Sequence, residues 1–404
     1  MVATDPEEGV VSPGAVGYDI GCGVRLLRSR LTRAELAPHL DALADALHRE
    51  VPCGVGSHGA QRVTRADLAR VMREGAGWVV RLGHGVASDL EHCEEGGVLA
   101  DGDPDAVSDD ACRRGKDQLG TLGSGNHFLE VQEVSEIYDA DAAQALGLAP
   151  GVVTVMIHCG SRGLGHQVCT DHVRDVAGKL AGWGITLPDR QLACAPLRSG
   201  EARAYLGAMR AAANYAWANR QFIADEVRRA FDSVLERGAG SGALTLVYDV
   251  AHNIAKFETH ETEHGRVRCL VHRKGATRSF PSGHRDVPAA YRAVGQPVLV
   301  PGDMGRYSFV LVGGEGAMRH AFGSTCHGAG RQMSRTQAVR ETRGRDLVRE
   351  LRDAGVVVRY EGRDTLGEET SEAYKDVAEV VRVCEGAGLA RRVAKLVPFI
   401  VVKG

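Results

Sequence analysis

Six short segments, five of them containing glycine, punctuate the chain, and each carries histidine, cysteine or aspartate, several directly after an apolar strand-like run. They are Tyr18-Asp-Ile-Gly-Cys-Gly-Val-Arg25, Gly123-Ser-Gly-Asn-His-Phe-Leu-Glu130, Ile157-His-Cys-Gly-Ser-Arg-Gly163, Tyr248-Asp-Val-Ala-His-Asn-Ile254, His272-Arg-Lys-Gly-Ala-Thr277 and Gly323-Ser-Thr-Cys-His-Gly-Ala-Gly-Arg331. Rigid strands that open into such loops let backbone and ligand approach closely, which is a common place for a site. Glycine totals 51 of 404 residues, above the usual ~7%. No repeat period accompanies it, so it signals elaborate loops.

The remaining pattern mixes helices and strands without strict alternation. Thr32-Arg-Ala-Glu35 is a capping box, followed by Leu36, Leu40, Leu43 and Leu47 at helical spacing. Further helices are expected over about 67–80, 167–180, 199–236, 336–354 and 371–387. Strands are expected over 152–157, 244–247, 267–271, 298–300, 308–312 and 396–402, and 94–110 reads as a loop. No linker or boundary divides residues 1–404. The expected fold class is α+β, one large mixed domain with glycine-rich loops at its strand ends.

Hydrophobic residues at 44% and charged residues at 25% exclude disorder as the main state. No apolar run reaches the ~18–20 residues of a membrane span, and the first residues lack the features of a signal peptide. Ten cysteines without a CxxC pair argue for free thiols in a reducing cytosol. A net charge of −3 neither advertises nor excludes a nucleic-acid partner.

Asp19, Cys22, His127, His158 and His252 combine carboxylate, thiolate and imidazole, the donors expected for Mn, Fe, Co or Zn. The set exceeds one tetrahedral site and suits two ions, with the thiolate free to bridge them. His327 is different, flanked by Gly-Ala-Gly and followed by Arg331 and Arg335. These arginines, one turn apart on an expected helix, would clamp phosphates. There is no GxxxxGK[ST] segment, and Gly160-Ser-Arg-Gly-Leu-Gly165 does not match GxGxxG, so P-loop and Rossmann readings have no support.

Taken together and in order, these blocks resemble the RtcB family of RNA ligases. The matching stretches are Gly17-Tyr-Asp-Ile-Gly-Cys-Gly23, Gly120-Thr-Leu-Gly-Ser-Gly-Asn-His127, His158-Cys-Gly-Ser-Arg-Gly163, His252-Asn253, His272-Arg-Lys-Gly-Ala-Thr277 and His327-Gly-Ala-Gly-Arg331, ending at Val402-Lys-Gly404. The resemblance implies a ligase dependent on GTP and two Mn²⁺. It would join RNA ending in a 3′-phosphate or 2′,3′-cyclic phosphate to RNA with a 5′-hydroxyl, through a covalent GMP on His327, in tRNA splicing or RNA repair. Asp19, Cys22 and His127 would hold one ion, and Cys22, His158 and His252 the other. Nucleotide contacts would come from Asn126, Phe128, Glu130, Asn253, Asp303, Ser308, Ala329, Gly330, Tyr374 and Lys403. Arg162, Arg331 and Arg335 would meet RNA or nucleotide phosphates. An archease-type activator is a further partner that the resemblance suggests.

Three departures stand out. The family's upstream Met-Pro-Asp-x-His-x-Gly block has no counterpart before Asp19, so the chain reads as N-terminally short. Asp303 stands where the family commonly has Ser, which bears on nucleotide preference, and Cys159 stands where Ser is frequent. Two other functions compete: a dinuclear metal-dependent phosphohydrolase or cyclic phosphodiesterase, and a non-catalytic RNA-end-binding paralogue. Against the first, a hydrolase has no use for a guanylylated histidine.

Overall fold

The computed structural model describes residues 1–59, 61–235, 244–262 and 265–404. Its centre is an eight-stranded sheet built from β1 (Gly23–Thr32), β2 (Phe128–Ile137), β3 (Val152–Cys159), β4 (Thr245–Ala251), β5 (Pro297–Val300), β6 (Ser308–Gly313), β7 (Val357–Tyr360) and β8 (Ala390–Lys403). The order is β5-β6-β8-β2-β3-β1-β4, with antiparallel neighbours throughout, and β7 adds to β8 in parallel. The fold is the expected α+β mixture in one large domain.

Both faces of this sheet are covered. Val153, Val155 and Ile157 share a core cluster with Ile223, Val227 and Phe231, while Met156 packs in a second cluster with Val24, Leu26, Val250 and Val310. The period-two alternation of β3 therefore feeds two cores, and this explains why its sequence is apolar throughout. The first core is completed by α1 (Leu40–Glu50) and by the long helix α3 (Gly200–Val234); α2 (Arg162–Ala177) packs elsewhere on α3. Ser199 caps α3 by accepting a hydrogen bond from the Ala202 N–H. Most of α3 is buried on all sides, and its run of alanines lets other backbone come close. A hairpin of Asn253–Thr262 and Gly265–Lys274 joins Val2–Thr4 in a separate three-stranded sheet.

Several expected elements differ in extent. The helix over 67–80 is two helices, Arg65–Glu74 and Ala76–Arg81, because Gly75 adopts φ +54° between them. The helix over 336–354 is likewise divided into Arg335–Glu341 and Leu347–Asp353. The stretch 371–387 is a short turn, Ser371–Ala373, then extended backbone at Tyr374, then a helix from Val377 to Gly386. The loop over 94–110 holds two single turns and the start of helix Asp109–Lys116. Position 236, the expected end of α3, lies outside the described residues. All ten cysteines are free thiols. Among the described residues no helix is long and apolar enough to cross a membrane.

Candidate metal centre and nucleotide pocket

Strand order places the donors. Antiparallel neighbours bring alternate strand ends to the same edge of a sheet, spaced by about 4.8 Å. In the run β2-β3-β1-β4, one edge therefore collects the residue before β2 (His127), the end of β3 (His158), the residue before β1 (Cys22) and the residue after β4 (His252). The register aligns them, with Phe128 opposite His158, Gly23 opposite Cys159, and Gly23 opposite Ala251. The Cys22 sulfur lies 3.5 Å from His127 Nε2 and 3.4 Å from His158 Nε2. His158 Nε2 lies 3.3 Å from His252 Nε2, and His127 Nε2 lies 2.8 Å from Asp19 Oδ2.

Two donor triads share the thiol: Asp19/Cys22/His127 and Cys22/His158/His252, each with its ligand atoms within 4.8 Å of one another. His127 Nδ1 is 3.0 Å from the Leu122 carbonyl, which leaves Nε2 turned toward the cluster. Asp19 Oδ1 is buried with no hydrogen-bond partner among the described residues. Burial pushes the Cys22 thiol up to about 12, with help from the Asp19 charge. Burial also opposes ionisation of Asp19, yet contact with His127 outweighs it and brings the carboxyl down to about 2. Burial, together with the nearby imidazoles, holds His158 and His252 well below the usual imidazole range. Neutral imidazoles and an ionised carboxylate are the forms that ligate; His127, which Cys159 and Asp19 hold well above the usual imidazole range against the effect of burial, would have to give up a proton, as would the thiol.

The loops are held by groups the motifs did not advertise. Arg220, fully buried on α3, donates to the carbonyls of Gly21 and Cys159, both at 2.8 Å, and pairs with Asp249 of β4. It thus pins the backbone beside Cys22 and beside His158. Gly21 has φ +70°, and a Cβ there would sit 2.9 Å from Ala213 Cα and 2.8 Å from Ala216 Cβ. Asp249 was within a quoted segment, but its role needs α3 in place.

Beside this cluster lies a cavity of about 220 Å³. Its lining includes Asn126, Phe128, Glu130, His158, Asp303, His327, Ala329, Gly330, Arg331, Arg335, Tyr374 and Lys403. Thus His327 stands where the cavity meets the metal cluster; its ring centroid is 4.9 Å from that of His252. Burial lowers the affinity of His327 for a proton, and a backbone hydrogen bond with Gly275 works in the opposite sense. Lys403 enters from the end of β8, opposite Phe128. Its Nζ donates to the His127 carbonyl at 3.3 Å and lies 3.7 Å from Glu369. Burial pushes Glu130 up to about 8, so near neutral pH its carboxyl keeps a proton it can donate.

Six expected positions are tied to partners within the chain. Ser308 lies beneath the cavity, where its hydroxyl accepts from the Gly302 N–H at 3.2 Å and from Gln132 Nε2 at 3.3 Å. Asn253 bridges loops: its amide donates to the Asp19 carbonyl and accepts from the Gly275 N–H. Arg162 reaches away from the cavity, to Thr121 Oγ1, Ser57 Oγ and the Gly54 carbonyl. Arg331 and Arg335 do not share a helix, since Arg331 precedes the Ser334 cap and forms a β-bridge with Tyr374. They converge instead on an acidic pair, with Arg331 2.9 Å from Glu369 and Arg335 3.4 Å from Glu368. Asp303 is held by Arg306, Ser371 and the Gly305 N–H, so its charge is paired within its own loop. Glu369, buried and hydrogen-bonded to Tyr374, lines the cavity but was missed. The only trace it left was the doublet Glu368-Glu369.

The mixed α/β domain thus presents a Cys/His/Asp cluster of metal-ligand type next to a cavity. The family described as tRNA-splicing ligase RtcB matches residues 1–404. The chain is 52% identical over 404 residues to the tRNA-splicing ligase RtcB of Thermococcus kodakarensis, covering all of this chain and 84% of that one. It is 53% identical over 408 residues to the RNA-splicing ligase RtcB of Mycobacterium tuberculosis, covering 100% of this chain and 93% of that one. The corresponding protein of Archaeoglobus fulgidus is 52% identical over 400 residues, 99% and 83% of the two chains. The chain belongs to the RtcB family of ligases.

Proposed function

We propose that this chain is a GTP-dependent RNA ligase that joins 3′-phosphate or 2′,3′-cyclic phosphate ends to 5′-hydroxyl ends, in tRNA splicing or RNA repair. The observation that carries the reading is the position of His327, between the donor cluster and the cavity lined by Phe128, Glu130, Tyr374 and Lys403. A proton-free imidazole there attacks the α-phosphorus of GTP. The N–P bond forms, the bond to the β-phosphate oxygen breaks, and pyrophosphate leaves. The GMP passes from His327 to the RNA 3′-phosphate. The 5′-hydroxyl oxygen then attacks that activated phosphate, losing its proton and releasing GMP. A cyclic end is first opened by water to a 3′-phosphate and a 2′-hydroxyl.

The chain's own groups divide the work. Protonated Glu130 and the Lys403 ammonium offer donors to a purine edge, and Phe128 and Tyr374 offer aromatic faces. Arg331 and Arg335, released from Glu369 and Glu368, meet phosphate oxygens. Asp19, Cys22 and His127 would hold one Mn²⁺, and Cys22, His158 and His252 a second, and the lone Asp19 Oδ1 fits such a use. When bound, such ions neutralise phosphate charge and lower the pKa of a hydroxyl. RNA ends are the substrate, and an archease-type protein is a candidate activator.

Intact mass after incubation with GTP and Mn²⁺ tests the proposal. The chain should gain the mass of one GMP, and His327→Ala should gain nothing. An undiminished adduct in His327→Ala would falsify the assignment of the nucleophile. Bound metal without any adduct would favour the hydrolase reading.

A further inference from the structure

We propose that His48, Cys53 and Glu361 form a separate divalent-cation site, suited to Zn²⁺, that ties the end of β7 to the end of α1. The donors come from three parts of the chain. His48 is in the last turn of α1, Cys53 follows it in a loop, and Glu361 directly follows β7. Cys53 Sγ lies 3.7 Å from His48 Nδ1, and His48 Nε2 lies 3.3 Å from Glu361 Oε1. One ligand atom from each residue falls within 4.8 Å of the others. Tetrahedral zinc, with bonds of about 2.0–2.3 Å, sets neighbouring donors roughly 3.3–3.8 Å apart. An ion takes one imidazole nitrogen, so closure needs only rotation of the half-exposed Glu361 carboxylate or of the His48 ring. The fourth position is open to water.

The surroundings are built rather than incidental. Cys53 is buried, and its thiol donates to the Lys403 carbonyl at 3.3 Å. The Glu361 N–H donates to the same carbonyl at 3.2 Å. Gly54 donates to the Gly123 carbonyl at 2.8 Å, and Cys53 forms a β-bridge with Gly123, in the loop that leads to His127. A Cβ on Gly54 would lie 3.3 Å from Glu361 Cβ, so the two loops are in close contact. The site therefore surrounds the backbone of Lys403, whose ammonium lines the cavity on the other side of the strand. On binding, the metal–sulfur bond forms, the Cys53 proton leaves to solvent and the thiol's hydrogen bond to the Lys403 carbonyl is given up. Thiolate, imidazole and carboxylate are all donors that zinc accepts.

The full chain, equilibrated with Zn²⁺ in excess Mn²⁺ and freed of loose metal by gel filtration, tests this. Anomalous diffraction at the zinc edge should place an ion among His48, Cys53 and Glu361. Elemental analysis should show one zinc fewer per chain in Cys53→Ser and in His48→Gln, and Cys22→Ala should retain that zinc. Should Cys53→Ser fail to fold, His48→Gln and Glu361→Gln, both at solvent-accessible positions, carry the test. Equal zinc retention in the parent, His48→Gln and Glu361→Gln, or anomalous density confined to the Cys22 cluster, would overturn the proposal.

Discussion

Glu226 on α3 is 1% exposed, and neither carboxylate oxygen has a hydrogen-bond partner among the described residues; Arg229 stands 4.0 Å away. Burial, which Asp225 and Glu50 reinforce and Arg229 partly offsets, raises its pKa from 4.5 to about 9. A carboxyl raised on folding binds its proton more tightly in the folded state. Its contribution is intact below the unfolded pKa and is lost as pH rises toward the folded one. The chain should therefore lose stability between about pH 5 and 8, by up to about 1.4 kcal/mol per pH unit from this group. Glu226→Gln should remove that slope in urea unfolding series, and parallel curves for the two proteins would refute the account. Asp249 is the opposite case. It is fully buried too, but two arginines satisfy it, Arg25 at 2.7 Å and Arg220 at 2.8 Å. Removing such a partner typically costs about 3–5 kcal/mol because the remaining charge is stranded.

At the scale of elements, the close contact of the Asp19–Cys22 loop with α3 constrains the donor cluster. Gly21→Ala would drive a methyl into Ala213 and Ala216, and overpacking of this kind costs about 1–3 kcal/mol. The displaced loop carries ligands of both triads. Gly21→Ala should thus fold with reduced stability and bind fewer metal ions, measured by elemental analysis, while a variant with full metal content would show that the loop can yield. The same packing explains what periodicity could not reveal. The strand β2, Phe-Leu-Glu-Val-Gln-Glu-Val-Ser-Glu-Ile, was not anticipated, because alternating polar residues do not read as a buried strand. Yet Glu130 and Gln132 are both buried, and Gln132 donates to Glu130 and to Ser308. Apolar β3 was legible for the converse reason. The helix break at Gly75 was hidden, since hydrophobic spacing continues across it; the break after Glu341 did leave a signal, the polar run Arg340-Glu-Thr-Arg-Gly-Arg-Asp346.

Across the whole molecule, the sheet joins two chemical regions that are remote in sequence. His127, His158 and Cys22 were legible because glycine and strand context mark each one, and His252 because it ends an apolar strand pattern. Glu369 was not, because its meaning depends on Arg331, 38 residues earlier and across a β-bridge. Lys403 connects the two regions, touching the His127 backbone and the acidic wall of the cavity. A nucleotide that binds only the folded state raises the melting temperature. Lys403→Ala should shrink the shift produced by GTP, seen by differential scanning fluorimetry, and weaken RNA affinity less; the reverse order would remove Lys403 from the nucleotide pocket. The collection of metal donors along a single edge also has a consequence for how such a chain can change over time. The far edge, where β2 passes to β3 through the exposed Ala149-Pro150, holds none of these donors. Insertions and deletions there leave the spacing of the donors untouched. Length variation, and the grafting of whole extra modules, can accumulate on one side of the protein while the chemistry on the other stays in register.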